Sequence, residues 1–315
     1  MSFTALRQLL GRARRAAVPA ALSLPPPAAG AGPSSGAPGA SAAPESPHRS
    51  PDRSPNAGLA PQIALRHDLC GEGFLFPDGA EEVVRLARPL GLSEASSVVL
   101  LGAGSGGPVT AITSAFGAWV SGFEADPALV AIAVEHCRRG GHGKRVSVAP
   151  WQPAAPELPR AQFHHAFSLF ALAGVAPKPV LAALAQTLRP RGQLVLLDLV
   201  AATDLEPDAS FADWVRLEGR PPLLATQAEI TRLLGGLGCD VRVAEDVSER
   251  HVEAIIEAWR ALVRPLAHAR PSLARAKLLV AEAERWLLRV RLLQAGRIRL
   301  IRWHAIASGK APPPV

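Results

Sequence analysis

Ser96-Ser97-Val98-Val99-Leu100-Leu101-Gly102-Ala103-Gly104-Ser105-Gly106-Gly107 runs four apolar residues into a glycine-rich turn, and residues 108–116 continue with helical spacing. A short unbroken apolar run suits a strand buried on both faces, as in a parallel sheet. The glycines let the backbone turn sharply and let a ligand approach where a side chain would collide. Free N–H groups at the following helix start would add hydrogen bonds and positive potential. The stretch reads as a cradle for a nucleotide-type cofactor.

The alternation continues on both sides. Upstream, residues 66–79 read as a loop whose glycines frame Phe74 and Phe76, and residues 80–88 as a helix ended by Pro89. Downstream, a second strand over 118–124 ends on Glu124. Asp126 suits the N-cap and Pro127 the first position of a helix that stops at Gly140-Gly141. Residues 145–148 and 163–171 read as strands three and four, and 179–188 as a helix. Arg189-Pro190-Arg191-Gly192 reads as a tight turn into a fifth strand over 193–200. A helix over 228–237, a strand over 239–247, helices over 253–268 and 272–294 and a strand over 297–307 complete the order. Strands alternating with helices at this pace predict an α/β fold with a doubly wound, mostly parallel sheet.

Composition bounds the rest. Residues 1–58 are dominated by Ala, Pro, Gly, Ser and Arg, too little apolar surface to offset their conformational entropy, and read as a disordered tail. One domain is expected over 59–310, with 311–315 a disordered C-terminus. Arg7, Arg12, Arg14 and Arg15 precede a short, alanine-rich stretch broken by Pro19, so export is not expected. No run approaches the ~20 apolar residues of a membrane span. Cys70, Cys137 and Cys239 match no metal or redox spacing and suit reduced cytoplasmic thiols. Net charge is +4 over 1–60, −5 over 61–250 and +8 over 251–315. A nucleic-acid enzyme more often carries its basic surface around the active centre. An acidic core points to a small-molecule substrate, with no nucleic-acid partner expected.

The glycine motif admits two cofactors. As G-x-G-x-x-G with Glu124 about twenty residues on, it fits a dinucleotide. As G-x-G-x-G it resembles motif I of class I S-adenosylmethionine-dependent methyltransferases. Leu188-Arg189-Pro190-Arg191-Gly192-Gln193-Leu194-Val195-Leu196-Leu197-Asp198 resembles the L-x-P-G-G-x-L-x-x-x-D segment entering their fifth strand and favours the second cofactor. Gly71-Glu72-Gly73-Phe74, residues 214–224, Asp246-Val247-Ser248 and the closing Arg302-Trp303 are similar to the phosphoethanolamine methyltransferase-like group. The resemblance covers roughly residues 66–307.

The resemblance implies a seven-stranded Rossmann-like methyltransferase sheet with extra C-terminal helices. It also implies S-adenosyl-L-methionine as cofactor and methyl transfer to an N- or O-nucleophile. It places Gly102, Ala103, Gly104, Gly106, Glu124, Ala125, Trp151 and Gln152 at the cofactor, with Glu124 on the ribose hydroxyls. Phe74, Phe76 and Arg220 fall at the substrate. Several family positions have changed. An acid before the first glycine is Leu100, the adenine-contacting Asp falls at about Gln152, and the loop Ser falls at Phe76. The active-site Asp and His fall among Phe167, Phe170, Ala171 and Leu172. The tyrosine of the phosphate-contacting pair is Pro222, and the chain has no tyrosine at all.

These changes leave the catalytic residues unassigned and keep a non-catalytic binding or scaffolding module as the rival reading, with an NAD(P)-dependent oxidoreductase behind it. His164-His165 lie early in the fourth strand, and adjacent strand residues face opposite sides, so a shared ligand is not expected. His67, near the loop, is a further candidate for a substrate proton. No metal site is read. The helix over 272–294 is expected to pack its apolar face on the sheet and to solvate Arg275, Arg285, Arg289 and Arg291; the alternative is contact with a membrane surface or lipid-like substrate.

Overall fold

The computed structural model describes residues 58–308 apart from 204, 207, 220–222 and 269. Seven strands form one sheet: β1 (Ser97–Leu101), β2 (Trp119–Glu124), β3 (Val146–Pro150), β4 (Phe163–Leu169), β5 (Leu188–Ala201), β6 (Cys239–Asp246) and β7 (Ile298–Ala307). Their order is β3-β2-β1-β4-β5-β7-β6. β1 to β5 pair in parallel, and β7 runs antiparallel to both β5 and β6.

Val98, Val99, Leu100 and Leu101 have no exposed surface, as expected of a strand covered on both faces. Val98 and Leu100 join the core beneath α1 (Pro61–Cys70), α2 (Gly79–Ala87), α3 (Gly107–Phe116), α8 (Ser248–Val263) and α9 (Leu273–Gln294). Val99 and Leu101 join the opposite core beneath α5 (Pro177–Thr187) and α7 (Gln227–Gly236). Each such side chain gains about 1.5–3 kcal/mol on burial. α4 (Pro127–Arg139) starts as its residues dictate: Asp126 Oδ1 accepts from the Ala128 amide at 2.8 Å, and Pro127 occupies the first turn.

The structure corrects four local readings. Residues 61–70 are helical, because Leu65 and Leu69 share one buried face and Pro61 sits in the first turn. α6 (Ala209–Glu218), capped by Asp208, is a helix that periodicity did not separate from its surroundings. α8 begins at Ser248, five residues earlier than expected. Residues 189–192 form a bulge inside one strand: Leu188 pairs with Phe163 and Gln193 with His165, with Arg191 at φ +64°. Among the described residues, no helix is long and apolar enough to cross a membrane.

Candidate functional site

Open parallel sheets bind ligands beyond the carboxyl ends of their strands. There the chain encloses a cavity of about 470 Å³, floored by Gly102, Gly104, Glu124 and Leu169. The connection between α1 and α2 contributes Gly73, Leu75 and Phe76 to it, and α6 and α9 contribute Glu218, Arg285 and Arg289.

The glycine loop is held by its own backbone. The Gly102 and Ala103 amides donate to Phe123 O at 3.0 and 3.2 Å, and Gly106 N donates to Ala103 O at 3.0 Å. Gly102 has φ +80°, and a Cβ there would overlap the Leu169 carbonyl oxygen. Gly102→Ala is therefore expected to cost about 2–3 kcal/mol in urea unfolding. Gly104 has φ +56°, and a Cβ there would meet only the Leu75 side chain, at 3.5 Å; Gly104→Ala should cost about 1 kcal/mol.

Glu124 closes the loop from the end of β2. Its Oε2 accepts from Gly104 N at 2.7 Å, and Oε1 accepts from Ala125 N at 2.8 Å and Asp126 N at 3.1 Å. A carboxylate offers about four lone-pair positions, so one remains for a ligand hydroxyl. Trp151 is buried beside it, and its indole N–H has no hydrogen-bond partner among the described residues.

The start of α3 differs from the expectation of free amides. Gly107 N donates to Gly73 O at 2.9 Å, so the upstream loop sits on the helix N-terminus. The two glycines touch backbone to backbone: a Cβ on Gly107 would come within 2.7 Å of Gly73 C, and one on Gly73 within 2.8 Å of Gly107 N. Neither position tolerates a side chain without movement. Glu72 carries the same loop onto α4, 3.3 Å from Arg139 and 3.5 Å from His136.

The far wall holds charge in place of solvated arginines. Glu218 accepts from Arg285 at 3.1 Å, from Arg289 Nε at 3.0 Å and from Trp214 Nε1 at 3.1 Å. Glu282 accepts from Arg285 and, at 3.0 Å, from Trp286 Nε1, and lies 3.4 Å from Arg66. The Arg285 and Arg289 guanidinium groups lie 4.7 and 4.5 Å from the Trp286 ring centre. Burial works to raise the Glu282 carboxyl, but Arg285 and Arg66 outweigh it and hold it below its ordinary range. The expectation that α9 solvates these arginines fails for Arg285 and Arg289, because two carboxylates and an aromatic face replace water around them.

Of the residues named from sequence, Gly102, Gly104, Glu124, Ala125, Trp151 and Phe76 line the cavity. Ala103 and Gly106 are buried parts of the loop that do not line it, and Gln152 is exposed outside it. Phe74 packs edge-on against Phe76, 6.1 Å between centres, and supports it from behind. Arg220 and Pro222 lie outside the described residues. His67 is buried within α1 and does not line the cavity; burial first, then His136, lowers its pKa. The His164 ring accepts from the Ser97 amide at 3.0 Å, at the end of the sheet away from the cavity. Among the described residues, no group of three His, Cys, Asp or Glu side chains could hold a metal. Arg66, Glu218, Arg285 and Arg289 were missed as cavity residues.

No family model matches the chain, and no curated protein does. Solved structures do. A phosphoethanolamine N-methyltransferase from Haemonchus contortus, in complex with S-adenosylhomocysteine, superposes with TM-score 0.68 at 17% identity; the match covers 81% of this chain and 60% of that one. A geranyl diphosphate C-methyltransferase from Streptomyces coelicolor gives 0.58 at 12% identity, over 72% of this chain and 75% of that one. The 4+2 cyclase SpnF gives 0.59 at 17% identity, over 79% and 97%. The fold is that of the class I S-adenosylmethionine-dependent methyltransferases.

Proposed function

We propose that the chain binds S-adenosyl-L-methionine in the 470 Å³ cavity and transfers its methyl group to an N- or O-nucleophile of a small molecule. The observation that carries this reading is the cradle itself. Dinucleotide sites place a pyrophosphate on the helix N-terminus after the glycine loop, and here the Gly73 carbonyl occupies that position on Gly107 N. A cofactor without phosphates suits such a loop, which favours S-adenosylmethionine over a nicotinamide dinucleotide. The remaining acceptor position on Glu124 suits a ribose hydroxyl, and the Trp151 indole N–H suits the adenine side.

When bound, the cofactor supplies an electrophilic methyl group on a sulfonium. The chain has to align a nucleophile with that methyl and exclude water. Leu75, Phe76, Leu169 and Phe170 provide an apolar wall for this. Gly73 and Phe76 cover the cavity from the α1–α2 connection. An acceptor that is already nucleophilic needs no dedicated base, and none is assigned.

Calorimetric titration of S-adenosylhomocysteine into the full chain tests the reading, with NADH as control. Hydrogen bonds to a charged group are worth about 1.5–3 kcal/mol each, so Glu124→Ala should weaken binding at least about tenfold. Binding of NADH in its place would overturn the cofactor. Leu100 and Phe170, where the resembled family is polar, favour a second reading of a binding module. Cofactor binding without methyl transfer to any acceptor would support that one.

A further inference from the structure

A second, smaller chamber lies behind the acceptor wall. It measures about 20 Å³ and is walled by Phe76, Phe170, Leu197, Val247 and Leu300, with His251 of α8 at its side. That is room for one water-sized group. Asp78, Glu82 and Arg250 also line the chamber. Phe76 and Phe170 line both this chamber and the main cavity, and their ring centres are 5.2 Å apart. The aromatic pair is the shared wall.

Phe170 holds its place under backbone strain. It follows the end of β4 with φ +54°, its amide donating to Leu197 O at 2.8 Å. A bulky residue in the left-handed region is an outlier, and such strain gathers at ligand clamps and switch points. The turn directs the Phe170 ring toward Phe76 and toward His251, whose ring centre is 6.1 Å away. His251 is 6% exposed, and its Nε2 has no hydrogen-bond partner among the described residues. Buried polar groups are almost always paired. An unpaired ring nitrogen beside the apolar part of this lining marks a place for a polar group.

We propose that this chamber is a subsite for the far end of the acceptor, opened by displacement of Phe170, and that His251 Nε2 hydrogen-bonds an uncharged hydroxyl there. A hydroxyl both donates and accepts, so it pairs with either imidazole tautomer. A charged group at His251 would have to leave water to face an uncharged ring, and of the charged residues on the lining (Asp78, Glu82 and Arg250) Glu82 and Arg250 already pair with each other at 3.8 Å. The acceptor class is therefore an uncharged, apolar molecule bearing a hydroxyl. The word acceptor rests on the methyl-transfer reading; the binding does not.

The test uses phenol as probe and the full chain labelled with nitrogen-15 in histidine, the His251 ring signal being assigned by its loss in His251→Phe. Phenol is expected to shift the His251 ring nitrogens, and benzoate and benzylamine are expected to leave them unmoved. Phenol affinity should fall at least about tenfold for His251→Phe and rise for Phe170→Gly, which relieves the strained φ and removes the shared wall. An unmoved His251 signal, equal response to benzoate, or affinity unchanged in both variants overturns the subsite. Should His251→Phe not fold, the shift in the unaltered chain and the Phe170→Gly arm still decide, with assignment from His251→Gln. S-adenosylhomocysteine titrated into the same samples separates the two readings. Cofactor binding with a silent His251 defeats the subsite alone, and a phenol response without cofactor binding defeats the methyl-transfer reading alone.

Discussion

Glu218→Ala is expected to lower the unfolding free energy by about 3–5 kcal/mol, because it removes the carboxylate that two buried guanidinium groups share. The Glu218 side chain is 2% exposed, and those of Arg285 and Arg289 are 9% and 4% exposed. Removing the shared carboxylate leaves both cations in the interior, with Glu282 still beside Arg285 and the Trp286 ring beside both. It also frees the Trp214 indole N–H at the end of α6. Glu218→Gln keeps the shape and some hydrogen bonds but not the charge, and should fall between the two. Urea unfolding at pH 7.5 reads both, as a lower midpoint with an unchanged slope. A loss below about 1 kcal/mol for the alanine variant would mean that water reaches the pair and that it behaves as a surface bridge.

Acid should begin to weaken the protein before its carboxylates titrate. Burial, then the charges of His164 and His304, pushes His165 down to about 4. Burial, then Arg289, pushes His251 down to about 3. Both are depressed below the ordinary value of 6.5, so between that pH and the folded values the unfolded chain binds more protons. Stability is then complete above about pH 6.5 and falls as the pH drops. At about 1.4 kcal/mol per pH unit, His165 alone withdraws about 3 kcal/mol by pH 4. Glu282, held low by its arginines, adds a loss in the same direction below the ordinary carboxylate range. Unfolding curves at pH 7.5, 6, 5 and 4.5 should show a steady decline, and His165→Gln should flatten it. A level profile from pH 7 to 5 would show that both rings take up protons without leaving their sites.

Much of the fold was legible because its strands announce themselves. Val98 to Leu101 is apolar without interruption and is covered on both faces, so its run needed no partner to be read. The cap at Asp126-Pro127 is likewise a local device, decided by one hydrogen bond. α1 and α6 were harder, because each mixes polar and apolar residues and owes its place to the helices it packs against. The cavity was half legible. The loop and Glu124 follow from a motif, whereas Glu282, Arg285, Trp286 and Arg289 sit at i, i+3, i+4 and i+7 of α9, the spacing of a core stripe. Charge at those positions reads as a solvated face until Glu218, some seventy residues upstream, is brought against it. Phe170 and His251 are of the same kind: nothing local marks a left-handed backbone or a distant unpaired nitrogen.

The position of β7 has a consequence for synthesis. β7 lies between β5 and β6, yet it leaves the ribosome after both. The apolar edge of β5 stays unpaired until residues about a hundred positions downstream emerge, which at about 5–20 residues per second is some 5–20 s. β6 has no other strand to join in the meantime. A bare apolar strand edge is a template for pairing with other chains. The nascent protein is thus most exposed to aggregation in that interval, and slower translation of α8 and α9 should lower its soluble yield.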